Sequence, residues 1–204
     1  MRNIALVLAA AFMLCSCVGL ASEIVLRRDG SLSMSLEYRF SRELESLGKL
    51  DGNENWPPLP VGKADFERTV ARIEGLSLGS FTTKTAGKDV VNQVKLDFTN
   101  LEALVRFLDA SGQRASLARE GGKTRLTLSF GGGGGGVDPE LLALLASATE
   151  GYSLDFGLTL PHAPELRERP QTGAVVLEGN RVGFSMPLAE LLSGAEPVTL
   201  EILW

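Results

Sequence analysis

Apolar and polar residues alternate without a break in one ten-residue segment near the start of the chain. From Ser31 to Phe40 every even position is apolar and every odd position is polar. Strict alternation is typical of a β-strand with one face in the core and the other in water. With the segment from Glu23 to Leu26 before it and the Asp29-Gly30 pair between the two, this pattern predicts a β-hairpin.

The periodicity of the remaining chain predicts more strands and several short helices. The predicted strands cover residues 76–84, 90–98, 115–117, 124–130, 152–160, 174–178, 181–186 and 198–204. The predicted helices cover residues 66–73, 101–108, 138–149 and 187–192. Thr99 and Glu102 have the spacing of a capping box at the start of the second helix. These elements indicate an α+β fold, in which three or four short amphipathic helices lie on one face of a mainly antiparallel sheet built of hairpins.

A run of six consecutive glycines, 131–136, separates a predicted strand from a predicted helix. Backbone N–H groups at such a place can bind phosphate, but no Lys-Ser or Lys-Thr follows, and Asp138 would place negative charge there. The run therefore favours a flexible connector. We expect a single domain over residues 31–204, and a subdivision near this run stays open.

The N-terminal residues have the pattern of an export signal. Arg2 precedes an apolar run over residues 4–14, and Leu14-Cys15-Ser16-Cys17 then resembles the site at which bacterial lipoproteins are cleaved and acylated. We therefore expect residues 1–16 to be a signal peptide, Cys17 to carry lipid such as palmitate, and residues 17–30 to contain the attachment site and the start of the first hairpin. The alternative is ordinary signal peptidase cleavage after Ala21, which would release a secreted or periplasmic protein.

Composition limits the classes of function that fit the chain. Its formal net charge of −5 argues against nucleic-acid binding. Both cysteines lie within the first 17 residues, so we expect neither a disulfide within the domain nor a cysteine metal site. Beyond the leader, no segment has the roughly twenty consecutive apolar residues of a transmembrane helix.

Residues that could carry chemistry are few and scattered. His162 is the only histidine and lies between two prolines, where an exposed loop residue is the simpler interpretation. Acidic residues form no recognisable pair, so the sequence predicts no catalytic residue, cofactor or metal ligand. Trp56, followed by Pro57 and Pro58, forms a candidate recognition loop for a sugar, a lipid or a partner protein. The other interpretation of Trp56 is a lid packed on the domain's own core.

The whole chain after the leader resembles the LppM-type bacterial envelope lipoproteins. The resemblance is carried by the lipobox, the Asp29-Gly30-Ser31 turn, Trp56-Pro57, the strand and helix over residues 94–108, the segment 182–188, and the C-terminal residues 201–204. It implies an α+β envelope domain of poorly defined role, sometimes discussed as lipid-binding, with no known catalytic residues.

These observations favour a non-enzymatic lipoprotein of the bacterial cell envelope. We expect the domain to be held at a membrane through lipid on Cys17 and to bind an apolar ligand or a partner protein. The alternative is a structural scaffold in an envelope assembly. A small exported hydrolase is the third hypothesis.

Overall fold

The computed structural model describes residues 18–41, 62–87, 89–110, 114–132, 147 and 149–204. Of these residues, 58% lie in strands and 18% in helices. The strands form two sheets, one of seven strands and one of four.

The larger sheet, sheet A, contains the first hairpin at its centre. Its strands, in spatial order, are β3 (Leu76–Ala86), β4 (Asp89–Phe98), β2 (Leu32–Ser41), β1 (Val18–Leu26), β7 (Ser153–Thr159), β10 (Arg181–Pro187) and β9 (Ala174–Glu178). Strands β1 and β7 are parallel, and the other neighbours in sheet A are antiparallel.

The smaller sheet, sheet B, combines strands from both sides of the glycine run. Its order is β5 (Arg114–Glu120), β6 (Lys123–Gly131), β11 (Pro197–Leu203) and β8 (Glu165–Glu168). The described helices are α1 (Lys63–Arg72), α2 (Leu101–Ala110) and α3 (Leu188–Ser193).

The alternating pattern buries one face of the first hairpin, as the sequence predicts. The even-numbered residues of β1 from Leu20 to Leu26, and those of β2 from Leu32 to Tyr38, are all buried. Phe130 of sheet B stacks on Phe184 of sheet A, with ring centroids 5.2 Å apart. Aromatic side chains of both sheets therefore meet in one core, where their burial stabilises the packing of the sheets.

Helices α1 and α2 cover part of this core. Phe66 of α1 is fully buried, and its ring centroid lies 6.1 Å from that of Tyr38. Helix α2 is capped by Asn100, whose side-chain oxygen accepts a hydrogen bond from the backbone N–H of Ala103 at 2.8 Å. The predicted cap one residue earlier, at Thr99, is therefore wrong.

The predicted hairpins are confirmed, but the predicted fold class is wrong. Antiparallel pairing joins β1 to β2, β3 to β4 and β5 to β6, as the sequence indicates. The predicted α+β sheet with three or four helices on one face is replaced by a mostly β fold of two sheets with three described helices. Alternation defines the two faces of a strand, whereas membership of a sheet depends on partners distant in sequence.

Other predictions fall outside the described residues. The helix predicted over residues 138–149 lies mostly there, as do glycines 133–136. The division into residues 1–16, 17–30 and 31–204 stays a prediction.

Candidate functional site

Most of the site residues named from the sequence cannot be placed. Cys17, Trp56, Pro57 and Pro58 all lie outside the described residues, so their proposed roles stay predictions. His162 is exposed, in the loop between β7 and β8.

The described chain begins directly after the predicted lipid-bearing cysteine and is already in a central strand. Val18, the first residue of β1, pairs with Ser153 of β7. Leu20 pairs with Tyr38 on one side and with Leu154 on the other, and only 9% of its surface is exposed. Residues 18–21, which lie between the two candidate cleavage sites, are therefore part of the middle of sheet A.

Gly19 lets two other elements approach the start of β1 closely. A Cβ atom at Gly19 would lie 2.9 Å from Cβ of Tyr152 and 3.2 Å from Cδ2 of Leu188. The backbone N–H of Leu188 also donates to the carbonyl oxygen of Tyr152 at 2.9 Å. Helix α3 is thereby fixed beside the first residues of β1.

Tyr152 also connects this region to the start of β4. Its hydroxyl donates a hydrogen bond to Oδ1 of Asp89 at 2.9 Å, and both residues are buried. We call the end of sheet A formed by Gly19, Asp89, Tyr152 and helix α3 the β1 end. No sequence pattern indicates it, because its parts come from four separate segments.

Helix α3 is short and its leucines are only partly buried. None of its six residues is fully buried. Leu191 packs against the core cluster. Leu188 and Leu192 are four residues apart and share one side of the helix. Glu190 and Ser193 are exposed.

The outer face of sheet A is polar. Ser33, Ser35, Ser80, Lys95 and Asp97 border a shallow depression there. These serines, with the lysine and the aspartate, can form hydrogen bonds to a polar partner. They do not provide the nucleophile and adjacent general base that covalent catalysis needs. Within the described ranges, no group of three or more histidine, cysteine, aspartate or glutamate side chains could hold a metal ion.

The pKa shifts have structural causes. Hydrogen bonds from the side chain and backbone of Ser31 lower the pKa of Asp29, in the exposed turn between β1 and β2. Burial raises the pKa of Tyr38 above its ordinary value. Tyr38 pairs with Leu20, next to the β1 end, whereas Asp29 lies in the turn at the opposite end of β1.

Strand β9 forms one edge of sheet A and exposes apolar side chains. Val176 is 47% exposed and Leu177 is 39% exposed. On its other side β9 pairs with β10.

The comparison with solved structures finds a distant likeness of fold. The NMR structure of the folded domain of Mycobacterium tuberculosis LppM superposes with a TM-score of 0.50 and 13% sequence identity, covering 92% of this chain and 90% of that chain. The likeness is one of fold alone. No protein-family model and no curated protein matches the chain. In the part of the chain that the structure describes, no helix is long and apolar enough to cross a membrane.

Proposed function

We propose that the chain is a non-enzymatic lipoprotein of the bacterial envelope, held at a membrane through lipid on Cys17, whose domain binds an apolar ligand or a partner protein. The observation that supports this most directly is the position of β1, which begins at Val18. The fold shared with LppM agrees with it.

The two candidate cleavage sites have different consequences for the fold. Cleavage before Cys17 leaves all nine residues of β1 in the mature chain. Cleavage after Ala21 would remove residues 18–21, and with them the buried side chain of Leu20. Since β1 is hydrogen-bonded on both sides, this loss would leave parts of β2 and β7 without their partner. The structure is therefore better preserved by the lipoprotein pathway.

The N-terminal peptide of the mature protein tests this proposal. The full chain, expressed in a bacterium and extracted from its membranes, is expected to start at Cys17 with diacylglyceryl and amide-linked acyl groups. Cys17→Ser should abolish the lipid mass, whereas the matched control Cys15→Ser should retain it. A mature chain starting at Ser22 would remove the lipoprotein proposal.

The binding activity needs a separate test. We would compare native and denaturing mass spectra of the acylated chain in detergent micelles. A mass excess beyond the covalent lipid that disappears on denaturation would identify a bound apolar molecule. A bare mass would leave partner binding as the function.

A structural scaffold is the second candidate, and strand β9 favours it. An edge strand with exposed apolar side chains can accept a strand from another protein. Crosslinking in intact cells should then capture an envelope protein, and Val176→Lys should reduce its yield. Thr82→Lys, an exposed position on the opposite edge strand β3, is the matched control. Equal yields from the two variants would exclude β9 as the contact.

A further inference from the structure

We infer that the β1 end lies directly on the membrane surface and that helix α3 contacts lipid through Leu192. The inference rests on the proposed function, because it requires lipid on Cys17. It goes beyond that function by giving the orientation of the domain relative to the membrane and by assigning a second membrane contact to helix α3.

The first step is the length of the tether. Cys17 is joined to Val18 by a single peptide bond, and Val18 already pairs with Ser153 in sheet A. One residue of extended chain spans at most ~3.6 Å. Lipid attached to Cys17 therefore holds the start of β1 at the headgroup region, with no flexible linker to separate the domain from the bilayer.

The second step is the element that lies beside the tether. Gly19 follows Cys17 by two residues, about 7 Å of extended chain. A Cβ atom at Gly19 would lie 3.2 Å from Cδ2 of Leu188. Helix α3 is thus adjacent to the strand segment that the anchor holds. It must therefore lie at the membrane surface together with that segment.

The third step is the chemistry of α3. Leu188 approaches Gly19 and Leu191 packs on the core, so these two residues mark the side of α3 that faces the protein. Leu192 is partly exposed and lies about 40° around the helix axis from Leu188, at the border of that side. Glu190 is exposed and lies about 200° around the helix axis from Leu188. A partly exposed leucine at the border of the packed side can reach the acyl chains while the carboxylate stays among the headgroups.

The lipid anchor makes this weak contact effective. A helix of six residues offers too little apolar area to bind a membrane alone. Because the anchor already holds the protein at the surface, contact by α3 becomes an intramolecular event at high effective concentration. The Arg27–Ser31 turn lies at the other end of β1, about 27 Å of strand away from Val18.

Depth-dependent quenching in vesicles tests the inference. Cleavage removes Cys15 and lipid occupies Cys17, so an introduced cysteine is the single free thiol. We would label Leu192→Cys with a fluorophore in the acylated chain, reconstituted into vesicles of phosphatidylethanolamine and phosphatidylglycerol that contain spin-labelled lipid. Glu190→Cys is the matched control on the same helix, and Arg28→Cys is the control at the far turn.

Quenching at position 192 should exceed that at position 28 by about threefold or more, with position 190 between them. Equal quenching at 192 and 28, in protein that still floats with the vesicles, would overturn the inference and leave the proposed function intact. Stronger quenching at 190 than at 192 would overturn the assigned side of α3. Protein that carries no lipid on Cys17 and does not float would remove both proposals.

A second measurement needs no substitution. Vesicles containing a photoactivatable phospholipid are irradiated with the unmodified acylated chain, and the crosslinked peptides are identified by mass spectrometry. The expected crosslinks fall on the peptide containing residues 188–193 rather than on the peptide containing residues 27–31. Crosslinks on the second peptide alone would overturn the inference even if the labelled variants failed to fold.

Discussion

The hydroxyl of Tyr152 donates a hydrogen bond to a carboxylate oxygen of Asp89 at 2.9 Å, between two buried residues at the β1 end. Removing one partner of a buried pair leaves the other without its hydrogen bond. Tyr152→Phe should therefore lower the free energy of unfolding by about 1–3 kcal/mol, measured by urea denaturation.

Ser153→Ala is the control for this prediction. Ser153 also donates to an aspartate, Oδ2 of Asp155, at 2.7 Å, but this pair is only partly buried. Its removal should cost less than about 1 kcal/mol. Equal losses in the free energy of unfolding would show that the Tyr152–Asp89 hydrogen bond stabilises the fold no more than the partly buried one does.

The start of the mature chain should affect its stability. A chain beginning at Ser22 lacks four residues of β1, the buried Leu20 among them, and should be less stable than a chain beginning at Val18 by about 2–4 kcal/mol. Urea denaturation of the two chains checks this. Equal midpoints would mean that residues 18–21 do not support the fold, and would weaken the argument against cleavage after Ala21.

Burial of Tyr38 should make the protein sensitive to alkali. Its pKa is raised in the folded state, so above pH 10 the unfolded chain releases this proton while the folded chain retains it. The contribution of Tyr38 to stability is thus fully present below the unfolded pKa and declines above it, by up to about 1.4 kcal/mol per pH unit.

Tyr38→Phe removes this titration. Between pH 10 and pH 12 its free energy of unfolding should fall less steeply than that of the wild-type chain. Parallel slopes would contradict the assignment of the effect to Tyr38.

Two glycines should respond differently to alanine. Gly157 of β7 lies under the carboxylate of Glu23, which pairs with Arg181 across this strand. A methyl group there would displace only a half-exposed ion pair, so Gly157→Ala should cost less than about 1 kcal/mol.

Gly173 is the contrasting position. It has φ +84°, and a Cβ atom there would lie 2.6 Å from Cε2 of Phe184 in the core. Gly173→Ala should therefore cost about 2–3 kcal/mol, from both backbone strain and overpacking. Thermal denaturation of both variants gives the comparison, and the reverse order would contradict it.

The parts of the fold that the sequence predicted are local. Alternation from Leu32 to Phe40 predicted both the strand and its buried face, and the Asp29-Gly30 turn predicted the hairpin. Strand β8 was missed because its four residues, Glu165–Glu168, alternate too briefly to indicate a strand.

The candidate site could be predicted only in part. The N-terminal motif indicates lipid on Cys17 without any structure. The β1 end could not be predicted, because Gly19, Asp89, Tyr152 and Leu188 carry no shared motif and meet only through tertiary contacts.

The sequence by itself determined the predicted export and anchoring signal and the hairpins, since each depends on residues close together in the chain. The tertiary structure alone decided that strands distribute between two sheets and that β1 lies parallel to β7, more than 120 residues away. It also decided that a leucine-bearing helix lies beside the first residues after the predicted anchor. These features depend on long-range pairing and core packing, for which short-range periodicity carries no signal.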